Sequence, residues 1–179
     1  MTIYLIRHGK TEANERRLYC GSTDLSLSNA GKAELRNLHY EIKNVRFLTS
    51  GRLRTNETLK ILFGDVSYEE DPRFREVDFG VFEMHSYEQL KDTPPYQAWI
   101  TGDNEANVPP QGESGVQMRE RVLIAFSEIR EDTCIIAHGG VIAAIMERMF
   151  PDENKNRYEW QPQPGHGYAI EDNSYRRIP

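Results

Sequence analysis

Cysteine is scarce in this 179-residue chain, and the two that occur, Cys20 and Cys134, lie far apart. Their scarcity excludes a disulfide-dense scaffold and a paired-cysteine zinc site, and it points to a reducing cytoplasm. Basic charge is also short: 22 Lys and Arg face 28 Asp and Glu, a formal net charge of −6. Such a balance gives no global attraction for nucleic acid or an anionic membrane, so any anionic ligand must be held by a few placed cations. Long apolar runs are missing too. The chain enters Thr2-Ile3-Tyr4-Leu5-Ile6 without a basic leader, and the later apolar stretch from Cys134 to Met146 is interrupted by His138-Gly139-Gly140. Neither reads as a signal peptide or a membrane span. No repeat, low-complexity tract or linker divides the sequence, and its length fits one domain over residues 1–179.

What is present alternates between strand and helix patterns. Thr2 to Ile6 reads as a buried strand that stops at Arg7-His8-Gly9. Ser28-Asn29-Ala30-Gly31 opens a run with apolar Ala33, Leu35, Leu38 and Ile42, which predicts a helix to about Lys43. Phe47 to Thr49 predicts a short strand, and Leu53 to Phe63 a helix closed by Gly64. Residues 65–115 carry many prolines and glycines and read as a lid-like excursion of short helices. Beyond it, Val116, Met118, Val122, Ile124, Ala125, Phe126 and Ile129 mark one broad helical face. Cys134-Ile135-Ile136-Ala137 is a third strand, Gly139-Gly140 opens an apolar helix, and Tyr168-Ala169-Ile170 is expected as a last edge strand. The order predicts a single-domain α/β fold with a mostly parallel sheet and helices on both faces.

In such sheets ligands gather where strands end at their carboxyl edge. Two of the expected strands end in His-Gly, so His8 and His138 are placed to share one crevice, with Arg7 beside them and Arg54 at the start of the helix after the second strand. Two guanidinium forks and two imidazoles suit a dianion such as a phosphate monoester and require no metal. Asn14, Thr11 and the backbone amides of Gly21, Ser22 and Gly139 are candidates for neutral donors.

These residues also fall into ordered motifs. Arg7-His8-Gly9-Lys10-Thr11-Glu12-Ala13-Asn14 resembles the R-H-G-x-T-x-x-N signature of the histidine phosphatase (phosphoglycerate mutase-like) superfamily, and Gly21 to Gly31 is similar to its continuation. Ser50 to Thr58 resembles the S-x-L-x-R-A-x-x-T helix entry, with Arg52 and Thr55 where Leu and Ala are usual. Glu76-Val77-Asp78-Phe79-Gly80 is similar to the segment that supplies the general acid, Pro110-Gln111-Gly112-Glu113-Ser114 to the P-G-G-E-S motif, and His138-Gly139-Gly140 to the second active-site histidine. The likeness runs from the first strand to about Met146. It departs at Met84, where many relatives carry Gly, and at Phe82, where Trp is familiar.

The resemblance implies a cofactor-independent phosphomonoesterase of small metabolites, most like the α-ribazole phosphatase and broad-specificity branch. Within it, His8 takes the phosphoryl group as a phosphohistidine, Arg7, Arg54 and His138 neutralise that group, and Glu76 serves as general acid and base. Asp78 and Glu83 stand close enough to Glu76 to compete for the acid's role. Alternatives remain at this stage: zinc held by the histidines with Glu76 or Asp78, a phosphoglycerate mutase, a phosphoprotein phosphatase, or a non-catalytic phosphate-binding regulatory domain. Tyr87, Tyr96 and Trp99 are expected over the substrate's non-phosphate part, and Glu113 and Ser114 as caps of the following helix. The expected partner is a small-molecule phosphate monoester; the sequence leaves the oligomeric state open.

Overall fold

In the computed structural model, which describes residues 1–179, Thr2–Arg7 forms strand β1. Successive side chains of a strand face opposite ways. Ile3 and Leu5 accordingly enter one buried cluster and Ile6 the other. Strands β2 (Arg46–Thr49), β3 (Glu69–Glu70) and β4 (Thr133–Ala137) precede a carboxyl-terminal pair, β5 (Gly167–Glu171) and β6 (Ser174–Ile178). The six lie in the order β3-β2-β4-β1-β5-β6. β3, β2, β4 and β1 pair parallel, whereas β5 runs antiparallel to both its neighbours, so the sheet is mixed.

Every residue of β4 is buried because helices cover both sheet faces at its central place. Helices α6 (Gly115–Ser127) and α7 (Gly139–Met149) close one face, where Leu5, Leu48, Met118, Val122, Ile135 and Val141 share a core. Helix α3 (Leu53–Phe63) closes the other through Leu59, against Phe47, Ile136 and Ala169. Truncating a side chain such as Ile135 to Ala would cost about 2–5 kcal/mol, a large part of a domain's stability. A third cluster of Phe82, Leu90 and Tyr96, with Tyr19, Phe79 and Trp99 packed on it, lies in the excursion over α4 (Tyr87–Leu90) and α5 (Pro94–Ile100).

Three sequence expectations need correction. Helix α2 spans only Asn29–Arg36, capped by the Ser28 hydroxyl on Gly31 N–H, and does not continue to Lys43. Past Arg36 the chain leaves the helix so that Tyr40 can donate to the Gly165 carbonyl and Ile42 can enter the core, and this tertiary pull outweighs the periodicity. The broad face of α6 is narrower than its pattern, since Val116 and Ile124 are exposed. Tyr168-Ala169-Ile170 is interior rather than edge: Asp172 and Asn173, at φ +44° and +63°, turn the chain into β6. Polar Ser174 to Arg177 hid that strand, and Arg176 and Arg177 are the charged side chains that discourage another chain from pairing with an open edge.

Candidate active site

The carboxyl ends of β1 and β4, adjacent and parallel, bring His8 and His138 together with ring centroids 5.2 Å apart. Both are buried, at 6% and 1% exposure. Their hydrogen bonds differ. His8 Nδ1 lies 2.7 Å from the Gly9 carbonyl oxygen. A carbonyl only accepts, so Nδ1 carries the proton and Nε2 keeps its lone pair. Gly9 is itself fixed, because its N–H donates to the Thr58 hydroxyl, which donates in turn to the Arg54 carbonyl. His138 instead uses Nε2 toward the Ser50 hydroxyl at 2.8 Å, while its Nδ1 is buried without a protein partner. Burial holds both imidazoles well below the usual histidine pKa, and the Arg54 and Arg7 guanidiniums push further in that direction.

Arg54, at 1% exposure, enters on the first turn of α3 and donates from its two terminal nitrogens to the carbonyls of Thr23 (2.8 Å) and Gly21 (2.7 Å). Those bonds aim the guanidinium only if the 21–23 loop is rigid, and Glu83 makes it so. Its carboxylate accepts from the N–H groups of Gly21, Ser22 and Thr23, from the Thr23 hydroxyl at 2.7 Å and from Phe79 N–H. The Gly21 and Ser22 amides therefore do not face the pocket as the sequence reading expected: they are spent on Glu83. Asn14 is occupied in part, with Oδ1 accepting from the Thr11 N–H and hydroxyl at the entry to α1 (Glu12–Glu15), which leaves its Nδ2 without a protein partner.

Arg7 donates to the Pro162 carbonyl at 2.9 Å and keeps a buried Nε unpaired. Gly139 lies against it; a Cβ there would come 3.2 Å from Arg7 Cζ. Glu76 reaches the same place from the excursion: its Oε2 accepts the Gly140 N–H, in the first turn of α7, at 2.8 Å. Of the three neighbouring acids only Glu76 stands there, since Asp78 is held by the Ser22 hydroxyl and Gly80 N–H. The structure gathers no set of three or more His, Cys, Asp or Glu side chains able to hold a metal ion.

Beyond Glu76 opens a cavity of about 290 Å³, walled by Tyr19, Phe79, Tyr96, Trp99 and Tyr158. Tyr96 and Trp99 thus serve the small core and the cavity at once, whereas Tyr87 is exposed and does not line it. Glu105 from the excursion pairs with Arg157 across the rim. Sequence reasoning missed Glu83 as the loop's anchor, Ser50 as the partner of His138, and this ion pair; motif position marked only the first two.

The comparisons with known proteins bear on the family and the fold. Residues 3–174 match the family model of the histidine phosphatase superfamily, branch 1. The adenosylcobalamin/alpha-ribazole phosphatase of Salmonella typhimurium is 29% identical over 96% of this chain and 90% of its own length, and a probable phosphoglycerate mutase GpmB of Yersinia enterocolitica is 27% identical over 83% and 74%. Among solved structures, a putative alpha-ribazole-5'-P phosphatase from Escherichia coli superposes with a TM-score of 0.83 at 26% identity, covering 99% of this chain and 94% of that one. TTHB049 from Thermus thermophilus gives 0.81 at 26%, covering 100% and 99%. With the family pattern running through almost its whole length, the chain belongs to the histidine phosphatase superfamily, branch 1.

Proposed function

We propose that the protein is a phosphomonoesterase of small phosphate-containing metabolites that works through a phosphohistidine on His8. One observation carries this reading: a buried, neutral imidazole whose Nδ1 proton is tied to the Gly9 carbonyl, leaving Nε2 as a nucleophile between two cations. His8 Nε2 attacks phosphorus while the bond to the leaving oxygen breaks, and Glu76 gives that oxygen its proton. Water then attacks the phosphohistidine, Glu76 takes its proton, and phosphate and neutral His8 are restored. Arg7, Arg54 and His138, with Asn14 Nδ2 and the start of α7 at Gly139, face the charge that spreads over the equatorial oxygens. In this reading guanidinium groups supply the neutralisation, so the reaction runs without a metal.

The aromatic cavity beside Glu76 is where the leaving group goes, and its walls suit a flat ring. α-Ribazole 5'-phosphate, named for relatives of this chain, is the substrate we favour on that ground. Residues 65–115 act as the lid of the single domain, with Glu105 and Arg157 at its closure. The two unpaired cysteines fit work in a reducing cytoplasm.

Hydrolysis of p-nitrophenyl phosphate in EDTA tests the mechanism. Turnover is expected to survive the chelator and to vanish in His8→Ala. Activity lost to EDTA, or kept in His8→Ala, overturns it. α-Ribazole 5'-phosphate in the same assay is expected to give a lower KM than p-nitrophenyl phosphate.

A further inference from the structure

Arg52 stands where the family pattern has Leu, and nothing in the helix it precedes calls for it. It is the N-cap of α3, yet its side chain makes no capping bond. A cation at that end opposes the helix dipole, and Ser, Thr, Asn or Asp would serve as caps. Asp24 does the capping from outside, accepting the Leu53 N–H at 2.8 Å. The Arg52 guanidinium finds no protein partner, and its Nε is buried and unpaired. A buried donor left unpaired is costly, so such a group in a native fold calls for a ligand to complete it.

Arg75 converges on the same place. Its Nε donates to the Ser50 carbonyl at 3.2 Å, and the rest of its guanidinium meets no protein acceptor. Neither arginine takes part in any ion pair of the structure. Both line a recess of about 290 Å³ together with Ser22, Glu76, Asp78 and Arg121. The third guanidinium there is already spent, because Arg121 holds Glu113 through two bonds of 2.7 Å and also donates to the carbonyls of Arg73, Arg75 and Glu76. Arg52 and Arg75 are therefore the recess's two uncommitted forks.

The recess adjoins the phosphoryl pocket through Ser50 and Glu76. Ser50 offers its hydroxyl to His138 and accepts the Arg52 N–H, while its carbonyl holds Arg75. Glu76 lines the recess and the aromatic cavity alike. Ser50 thus ties both arginines to His138, and Glu76 is a wall shared by the recess and the aromatic cavity.

We propose that Arg52 and Arg75 form a second anion subsite, through which the same centre accepts short phosphomonoesters whose leaving group carries a carboxylate or a further phosphate. The proposal rests on the phosphatase reading above and widens it: flat, uncharged leaving groups use the cavity and short acidic ones use the recess.

The test compares 3-phosphoglycerate with glycerol 3-phosphate, which carry the same phosphoryl group and differ by a carboxylate in place of a hydroxymethyl. In the wild type kcat/KM is expected to favour the acid by about tenfold or more, the scale of one charge-assisted hydrogen bond. Arg52→Leu, which installs the family's usual side chain, is expected to bring that ratio close to unity, and Arg75→Gln to move it the same way. A ratio near unity in the wild type, or one that Arg52→Leu leaves unchanged, overturns the subsite. An equal loss on both substrates also overturns it, by making Arg52 a ligand of the shared phosphoryl group. Binding of the two compounds to His8→Ala by calorimetry reads the same ratio without turnover; failure of p-nitrophenyl phosphate hydrolysis would sink the phosphatase reading instead.

Discussion

The β1 exit and the β4 exit begin alike and end differently. Each is a buried strand followed by His-Gly, and the two are hydrogen-bonded neighbours. After His8 the chain loops before α1, so the Gly9 carbonyl can turn back onto Nδ1. After His138 it enters α7 at once, and Gly139, the counterpart of Gly9, is already the first residue of that helix. With no such carbonyl to turn to, the second imidazole reaches across to Ser50. One dipeptide, His-Gly, therefore yields two wirings: an imidazole with an open Nε2, and one whose Nε2 is already engaged. The backbone that follows a histidine decides what that histidine can do.

The sharpest way to break the comparison is to remove each ring in turn. His8→Ala is expected to lose phosphoenzyme formation entirely and turnover by at least about 10⁴-fold, because no other group stands in line. His138→Ala is expected to lose about 10²–10³-fold, the scale of one preorganised charge-stabilising donor, while still accumulating a labelled phosphoenzyme. An alkaline quench with radiolabelled substrate separates the two. Labelled His8→Ala protein would mean that the wirings are reversed.

A second, smaller effect concerns what the rings share. Both are held neutral by burial and by the arginines around them, so the folded chain refuses protons that the unfolded chain accepts below about pH 6.5. The contribution to stability is full above that pH and is lost as the pH falls below it, approaching about 1.4 kcal/mol per pH unit for each histidine and about 2.7 for the pair. Denaturant melts between pH 7 and pH 5 are expected to show the loss, and His138→Asn to make it about half as steep. An unchanged slope would show that His138 does not contribute.

How much of this was legible beforehand follows a physical line. The His-Gly ends, Arg54 and the α/β order were readable because continuous apolar strands and motif spacing are properties of residue type. The direction of a backbone amide is not. Gly21 and Ser22 were expected to face the anion, and Glu83, a carboxylate some 60 residues away, turns them round. Two departures from the family pattern do become intelligible. Met84 and Gln111 stand where relatives have glycine, and their φ angles are +61° and +63°. In the left-handed region glycine avoids a cost of about 1–2 kcal/mol, so the pattern records backbone shape rather than chemistry there. The hairpin strand β6 escaped because an edge strand half in solvent loses the apolar alternation that marks an inner one.

The smallest expected effect would bring the two histidines closer together. Ser50→Ala removes the hydroxyl from His138 Nε2 and with it a contact to the Thr55 hydroxyl at 3.2 Å. Both nitrogens of that ring would then lack a protein partner, since Nδ1 has none already. The ring keeps its place through packing, but its orientation is no longer fixed, and kcat/KM on p-nitrophenyl phosphate is expected to fall about tenfold, the equivalent of one lost hydrogen bond. Phosphoenzyme should still form on His8, only more slowly, in single-turnover measurements. A fall as large as that of His138→Ala would mean that orientation by Ser50 is the whole of the second histidine's contribution, and no fall at all would mean that packing alone holds the ring.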